Sequence, residues 1–354
     1  MTNMNRQSHA QRELGQPAEV VVDMQRRTVQ SQNELDRASD EGMTAPASDR
    51  DAAPVGAEQA IAMAAPFYLS VAGVTDIGRV RKRNEDTFVV ADLSGGSLLD
   101  GAPHARFDVG ERGVLLAVSD GMGGAEAGEV ASALVVETLT RALATAAPGT
   151  PRDALMTEAI EKAHRAVWNV AKRESKKMGA TLTSVFVHAG QAYIGEVGDS
   201  RAYLIRGGSI CQLTHDQSMV QMLVDSGVLA PEQAAESPLR NVILQAMGNQ
   251  REVKVALARL ALRDRDCLVL CSDGLTTLVH DDEIRDLVLK TGRPEIAARE
   301  LVDLANERGG YDNITVVVAG VGGSLTKVAT DECFADTFET ITTFDMRLKS
   351  PPTA

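Results

Sequence analysis

The chain has 354 residues, 44% of them hydrophobic and only 3% aromatic, enough for a large aliphatic core in one large domain or two ordinary ones. Its 36 basic and 49 acidic residues leave a formal net charge of −13. That field opposes nucleic acid and anionic membranes and suits a soluble cytoplasmic protein. No apolar run approaches the length of a membrane span, and the N-terminal region offers only Val20-Val21-Val22 where a leader would carry a longer apolar core. Cys211, Cys267, Cys271 and Cys333 form no C-x-x-C pair, and Cys267 and Cys271, four apart in an apolar run, read as two small core residues of a reducing compartment.

Residues 1–65 are rich in Gln, Glu, Asp, Ala and Ser and read as a disordered extension. From Phe67 onward, short apolar runs bounded by Gly, Asp or Asn predict strands over 68–74, 87–91, 114–118, 181–187, 192–197, 202–205, 253–257, 267–271 and 314–319. Ala189-Gly190 and Gly207-Gly208 read as hairpin turns and argue for antiparallel pairing. Val130, Leu134, Val135, Thr138, Leu139 and Leu143 follow helical spacing, as do Leu155, Ile160, Ala163, Val167 and Val170. Two later helices are expected over 282–289 and 294–306, the second with Pro294 at its start. This order suggests an α+β domain over 66–323, with two antiparallel sheets covered by helix pairs. Residues 324–354 read as a flexible tail in which Phe334, Phe338, Ile341 and Phe344 could pack as a short helix.

Carboxylates recur where these strands end. Asp120 closes the run 114–118 in Asp-Gly-Met-Gly-Gly, where glycine lets the chain turn sharply and offers a carbonyl beside the carboxylate. Asp273 repeats the pattern after 267–271, Asp199 follows 192–197, and Asp312-Asn313 precedes the last strand. Each alone reads as an ordinary turn residue. Gathered, they would form an oxygen-only site for hard divalent cations. Arg81, three residues before Asn84-Glu85-Asp86, adds a guanidinium fork that matches phosphate oxygens.

The ordered motifs R-x-x-N-E-D, D-G-M-G-G, G-D-S-R, S-D-G-L and D-N-I-T, spread over 67–322, resemble the metal-dependent protein phosphatases (PPM, type 2C), in particular their bacterial serine/threonine branch. The resemblance implies a four-layer αββα sandwich with two Mn²⁺ or Mg²⁺ ions between the sheets and a third, weaker ion. It implies that Asp120 bridges the two ions, that Asp273 and Asp312 complete one shell, and that Glu85 and the Gly121 carbonyl serve the other. Asp86 would hold a water of the metal shell, Arg81 would clamp the substrate phosphate, Asp199 would serve the third ion, and Asn313 would orient Asp312. The implied reaction is hydrolysis of phosphoserine or phosphothreonine in proteins by attack of a metal-bridging water. The implied partners are phosphoproteins, a bacterial Ser/Thr kinase among them, met by a monomer that binds neither nucleic acid nor membrane. An inactive phosphoprotein-binding relative, or a partner-switching phosphatase of an anti-sigma-factor antagonist, are the alternatives.

Two positions depart from the pattern. Met122 stands where some members carry a His that can act as general acid, and none of the six His residues has an evident substitute role. Lys176-Lys177 stand shortly before Gly179-Ala180-Thr181, where related sequences often carry an acid. Residues 219–238 resemble the mobile flap of the bacterial branch. The Thr-rich run 337–344 suggests a phosphorylation site in the tail.

Overall fold

The computed structural model describes residues 66–99, 101–123, 127–234, 236–329 and 332–344. The disordered extension expected over 1–65 lies outside these residues.

The described chain runs β1 (Phe67–Asp76), β2 (Asp86–Asp92), β3 (Ala105–Asp108), β4 (Val114–Met122), α1 (Ala127–Ala144), α2 (Arg152–Glu174), β5 (Gly179–Ala180), β6 (Leu182–His188), β7 (Gln191–Val197), β8 (Arg201–Arg206) and β9 (Ser209–Gln212). It continues through α3 (Met219–Asp225), α4 (Pro231–Ala234), β10 (Ala256–Ala261), β11 (Cys267–Cys271), α5 (Asp273–Thr276), α6 (Asp281–Thr291), α7 (Pro294–Glu307), β12 (Ile314–Gly323), a 3₁₀ turn (Phe334–Asp336) and β13 (Phe338–Thr342).

Side-chain alternation builds the layers. In β4, Val114, Leu116 and Val118 enter one buried cluster while Leu115 and Ala117 enter another. In β12, Val317, Ala319 and Val321 face one cluster and Val316 and Val318 a third. A strand buried on both faces needs cover on both. One sheet has the order β3-β1-β12-β11-β8-β9, the other β13-β10-β7-β6-β4-β2 with β5 beside β4, and the pairings are antiparallel. The inner faces meet in one aliphatic layer. Helices α1 and α2 cover the second sheet with Val135, Leu139, Ile160 and Val167. Helices α6 and α7 cover the first with Ile284, Val288, Leu301 and Val302. The arrangement is the expected α+β stack of helix, sheet, sheet and helix layers.

The two expected hairpins are present. Ala189 (φ 50°) with Gly190 (φ 77°) joins β6 to β7, and Gly207 (φ 58°) with Gly208 (φ 85°) joins β8 to β9. Both turns take the left-handed pair that matches strand twist. Strand β10 starts three residues and ends four residues later than expected, its pairing with β7 running on to Ala261 opposite Gln191. Strands β3 and β9, four residues each, lacked an apolar run long enough to predict.

The tail differs most from expectation. Residues 338–342 are an edge strand paired with β10, not a helix or a free extension. Phe334 and Phe338 stack at 4.8 Å and pack on the inner layer. Leu257 pairs with Thr342 and Ala258 with Thr340, so Ile341 is an extra residue in a bulge. Phe334 belongs to the 3₁₀ turn, Phe338 packs on the inner layer and Ile341 on the layer under α1 and α2, so their helix-like spacing of four and three joins residues of different faces.

Candidate metal centre

At one end of the inner layer, each strand's inward register changes from aliphatic to polar. Val114, Leu116 and Val118 of β4 are followed at the same spacing by Asp120, and Val90 and Phe88 of β2 lead back to Asp86. Asp86 and Asp120 stand directly opposite in the β2–β4 register. On the facing strands, Val317 gives way to Thr315 and Leu270 to Ser272, both fully buried.

Those hydroxyls fix Asp86. Ser272 Oγ and Thr315 Oγ1 each donate to Asp86 Oδ2 at 2.7 Å, while Asp86 Oδ1 is buried with no partner. Burial first, then the charges of Asp273 and Asp312, push the Asp86 carboxyl up to about 7. Asp273 opens α5 with Oδ1 likewise unpartnered, and burial followed by the Asp312 charge pushes it up to about 6. Asp120 is held well above the usual carboxylate range by burial and by Asp86, Asp273, Asp199 and Asp312. Asp199, 7% exposed and also with an unpartnered Oδ1, is raised by burial and then by Asp273.

Asn313 organises the remaining ligand candidates. Its Oδ1 accepts from Glu85 N at 2.9 Å, its Nδ2 donates to Ile77 O and Arg83 O at 2.9 Å, and its backbone N–H donates to Asp312 Oδ1 at 2.8 Å. Arg81 Nη2 donates to Asp312 Oδ2 at 2.7 Å. Gly121 N donates to Glu85 O at 3.1 Å. A Cβ on Gly128 would lie 2.0 Å from Glu85 Oε2, so the glycine at the start of α1 makes room for that carboxylate. Burial raises Glu85 as well.

The chain therefore gathers Glu85, Asp86, Asp120, Asp199, Asp273 and Asp312 at one end of the sandwich, with Arg81 at its rim. Among the described residues, no three carboxylate, imidazole or thiol groups are drawn in closely enough to form a closed cage. An open arc with unpartnered oxygens on Asp86, Asp199 and Asp273 fits hard cations that keep part of their water. Burial first, and then mutual repulsion, raise Asp86, Asp120, Asp199 and Asp273, and a divalent cation would relieve both.

Some supporting residues carry no role in the sequence motifs alone. Thr181 Oγ1 accepts from Asp120 N at 2.9 Å and shares a 2.8 Å hydrogen bond with Ser200 Oγ, and Ser119 Oγ donates to Thr181 O at 2.6 Å. Arg201 forks onto Asp216, with Nη2 at 2.7 Å from Oδ2. Gln217 Oε1 accepts from Gly198 N at 2.8 Å, which ties the root of α3 to the residue before Asp199. Lys176 turns back to Glu174 at 2.9 Å. His215 pairs with Asp225 at 2.7 Å on the surface.

A family model for protein phosphatase 2C matches residues 92–305. The chain belongs to the protein phosphatase 2C family. It is 37% identical over 259 residues to the serine/threonine protein phosphatase PstP of Mycobacterium tuberculosis, covering 72% of this chain and 45% of PstP, so it spans about half of that relative's length. The serine/threonine phosphatase stp of Listeria welshimeri is 33% identical over 252 residues, covering 69% of this chain and 92% of the relative. The crystal structure of the Mycobacterium tuberculosis phosphatase PstP/Ppp matches with a TM-score of 0.62 at 36% identity, covering 72% of this chain and 98% of that one. The PstP catalytic domain in complex with two manganese ions matches at 0.61 and 35%, covering 72% and 99%. The sandwich described above is therefore the 2C fold. Asp120, Asp199 and Asp273 lie inside the matched model, while Arg81, Glu85, Asp86 and Asp312 lie on the flanking strands and loops.

Proposed function

We propose that this 2C-family member is a metal-dependent phosphatase of phosphoserine and phosphothreonine in proteins, working with Mn²⁺ or Mg²⁺. The observation that carries the reading is the set of buried, unpartnered carboxylate oxygens on Asp86, Asp199 and Asp273 beside Asp120. The relative solved with two manganese ions supports a pair of cations. Asp120, Asp273 and Asp312 would hold one, and Asp120, Glu85 and the Gly121 carbonyl the other. Asp199 would serve a third, weaker ion. Bound cations supply an activated water and neutralise phosphate charge.

The protein's own groups have separate tasks. Asp86 Oδ2 is pinned by Ser272 and Thr315, which leaves Oδ1 to hold a water of the metal shell. Arg81 uses one N–H on Asp312 and keeps others for phosphate oxygens. Asn313 holds Asp312 and the Glu85 backbone in one frame. Met122 cannot donate a proton, so the leaving oxygen takes its proton from water. Helices α3 and α4 form a two-ended excursion with Val228 66% exposed, suited to a flap over substrate.

Among the described residues, no helix is long and apolar enough to cross a membrane. We place the protein in the cytoplasm as a monomer that opposes a Ser/Thr kinase. Mn²⁺-dependent phosphate release from a phosphothreonine peptide tests the reading. No turnover of any phosphopeptide by metal-loaded protein overturns it.

A further inference from the structure

Loop 77–83 carries Arg79, Arg81, Lys82 and Arg83 on a chain whose formal net charge is −13. The backbone of this loop is anchored at several points. Asn313 Nδ2 donates to the carbonyls at both ends, Ile77 and Arg83. Arg79 N donates to Gly310 O at 2.7 Å, and Gly78 (φ 79°) sits so close that a Cβ would lie 2.1 Å from Asp312 O. The loop is thus pressed against residues 309–313, which gives it a fixed frame.

That frame presents charge and apolar surface together. Val80 is 61% exposed and Tyr311 63%, with the Tyr311 ring lying over Gly309. Arg79 and Lys82 are exposed, and no ion pair among the described residues holds either side chain. Arg81, between them, reaches the metal-centre residue Asp312. Consecutive Cα atoms lie ~3.8 Å apart, so Arg79 and Lys82 fall within about 7 Å of Arg81 along the chain. An extended peptide advances ~3.3 Å per residue. Side chains one or two positions from a phosphate held by Arg81 would meet these cations.

We propose that Arg79, Val80, Lys82 and Tyr311 form the substrate-docking strip of the phosphatase and select phosphopeptides with acidic side chains within about two residues of the phosphorylated position. The inference rests on the phosphatase reading above. Charge complementarity supplies selectivity and encounter rate, while Val80 and Tyr311 cover the peptide's apolar stem. A fixed backbone lowers the ordering cost of that contact.

The test uses the full chain with Mn²⁺ and three phosphothreonine peptides of one length, flanked by Glu, Ala or Lys. The expected result is a KM for the Glu peptide about five-fold below that for the Ala peptide, with similar kcat and a preference that shrinks with salt. The R79E/K82E protein should reverse the order and favour the Lys peptide, whereas Arg285→Glu on α6 should keep the original order. Turnover without preference, or an order unchanged in R79E/K82E, overturns the docking strip and leaves the phosphatase reading intact. No turnover of any peptide overturns both. Loss of phosphatidylserine-vesicle cosedimentation in R79E/K82E with an unchanged peptide order would assign the strip to a lipid surface instead.

Discussion

Strand β8 links two places where this domain buries charge, and they are built on opposite terms. At its C-terminal end the Arg206 side chain, 8% exposed, meets Asp266 at 2.6 Å, Thr337 Oγ1 at 2.6 Å, Ala261 O at 2.9 Å and Glu332 at 3.5 Å. Arg263 adds a second guanidinium on Glu332 at 2.9 Å. Just before its N-terminal end, Asp199 joins Asp86, Asp120 and Asp273, carboxylates that face one another with unpartnered oxygens on three of them. A buried charge is tolerable when its partners and hydrogen bonds are complete. In the first cluster the chain supplies them itself, including Glu332 and Thr337 from the tail. In the second it supplies two hydroxyls to Asp86 but leaves an oxygen of Asp86, Asp199 and Asp273 without a partner, and cations from solution would supply the compensation.

The comparison is most sharply tested by removing one charge from each cluster. Asp120→Asn should lower phosphatase activity by at least about 10³-fold, beyond the loss typical of removing a single charge-stabilising group. Without metal, the same variant should melt higher than the parent at pH 7.5, since it deletes an uncompensated carboxylate. Arg206→Ala should do the reverse, costing about 3–5 kcal/mol in urea denaturation by stranding Asp266, which is fully buried. If metal-free Asp120→Asn melted lower than the parent, the account of the acidic cluster would be wrong.

How much of this was legible in sequence differs between the clusters. Asp120, Asp199 and Asp273 each follow a short apolar run, and strand parity carries Asp120 to the inner face with Val114, Leu116 and Val118. Glu85, Asp86 and Arg81 sit in one motif. The Arg206 cluster has no such signature. Its partners lie 60, 126 and 131 residues away, and Glu332 falls in a stretch that reads as flexible tail. The tail strand was hidden because its apolar residues come from a 3₁₀ turn and from both faces of a five-residue strand, which reads as helix-like spacing. Its Thr337, suggested by sequence as part of a modifiable run, is 8% exposed and occupied by Arg206.

Titration gives a further test of the acidic end. Asp86 is raised to about 7 and Asp273 to about 6, from an ordinary 3.8. Between those values the folded state binds more protons than the unfolded chain, so stability falls as pH rises. Metal-free protein should therefore lose thermal stability from about pH 4 through about pH 7. Mn²⁺ competes with those protons, so its affinity should rise over the same window. At 100 times Kd it should add about 2.7 kcal/mol. A metal-free melting temperature that rose between pH 5 and pH 7 would contradict the raised carboxyls.

The smallest expected effect concerns how the acidic end is held. Thr181 is fully buried, and its Oγ1 accepts the Asp120 N–H while bonding Ser200. Thr181→Val keeps the shape and removes the acceptor, leaving the Asp120 N–H without its partner at a cost of about 1–2 kcal/mol. Thr181→Ser retains the oxygen and should recover most of that loss. The effect on catalysis acts through the placement of Asp120, so Thr181→Val should weaken Mn²⁺ binding by about 10-fold, in the range for residues that orient a ligand. If calorimetry showed equal Mn²⁺ affinity in Thr181→Val and parent, Thr181 would serve stability alone, and the acidic cluster would owe its geometry to the strand register rather than to this hydroxyl.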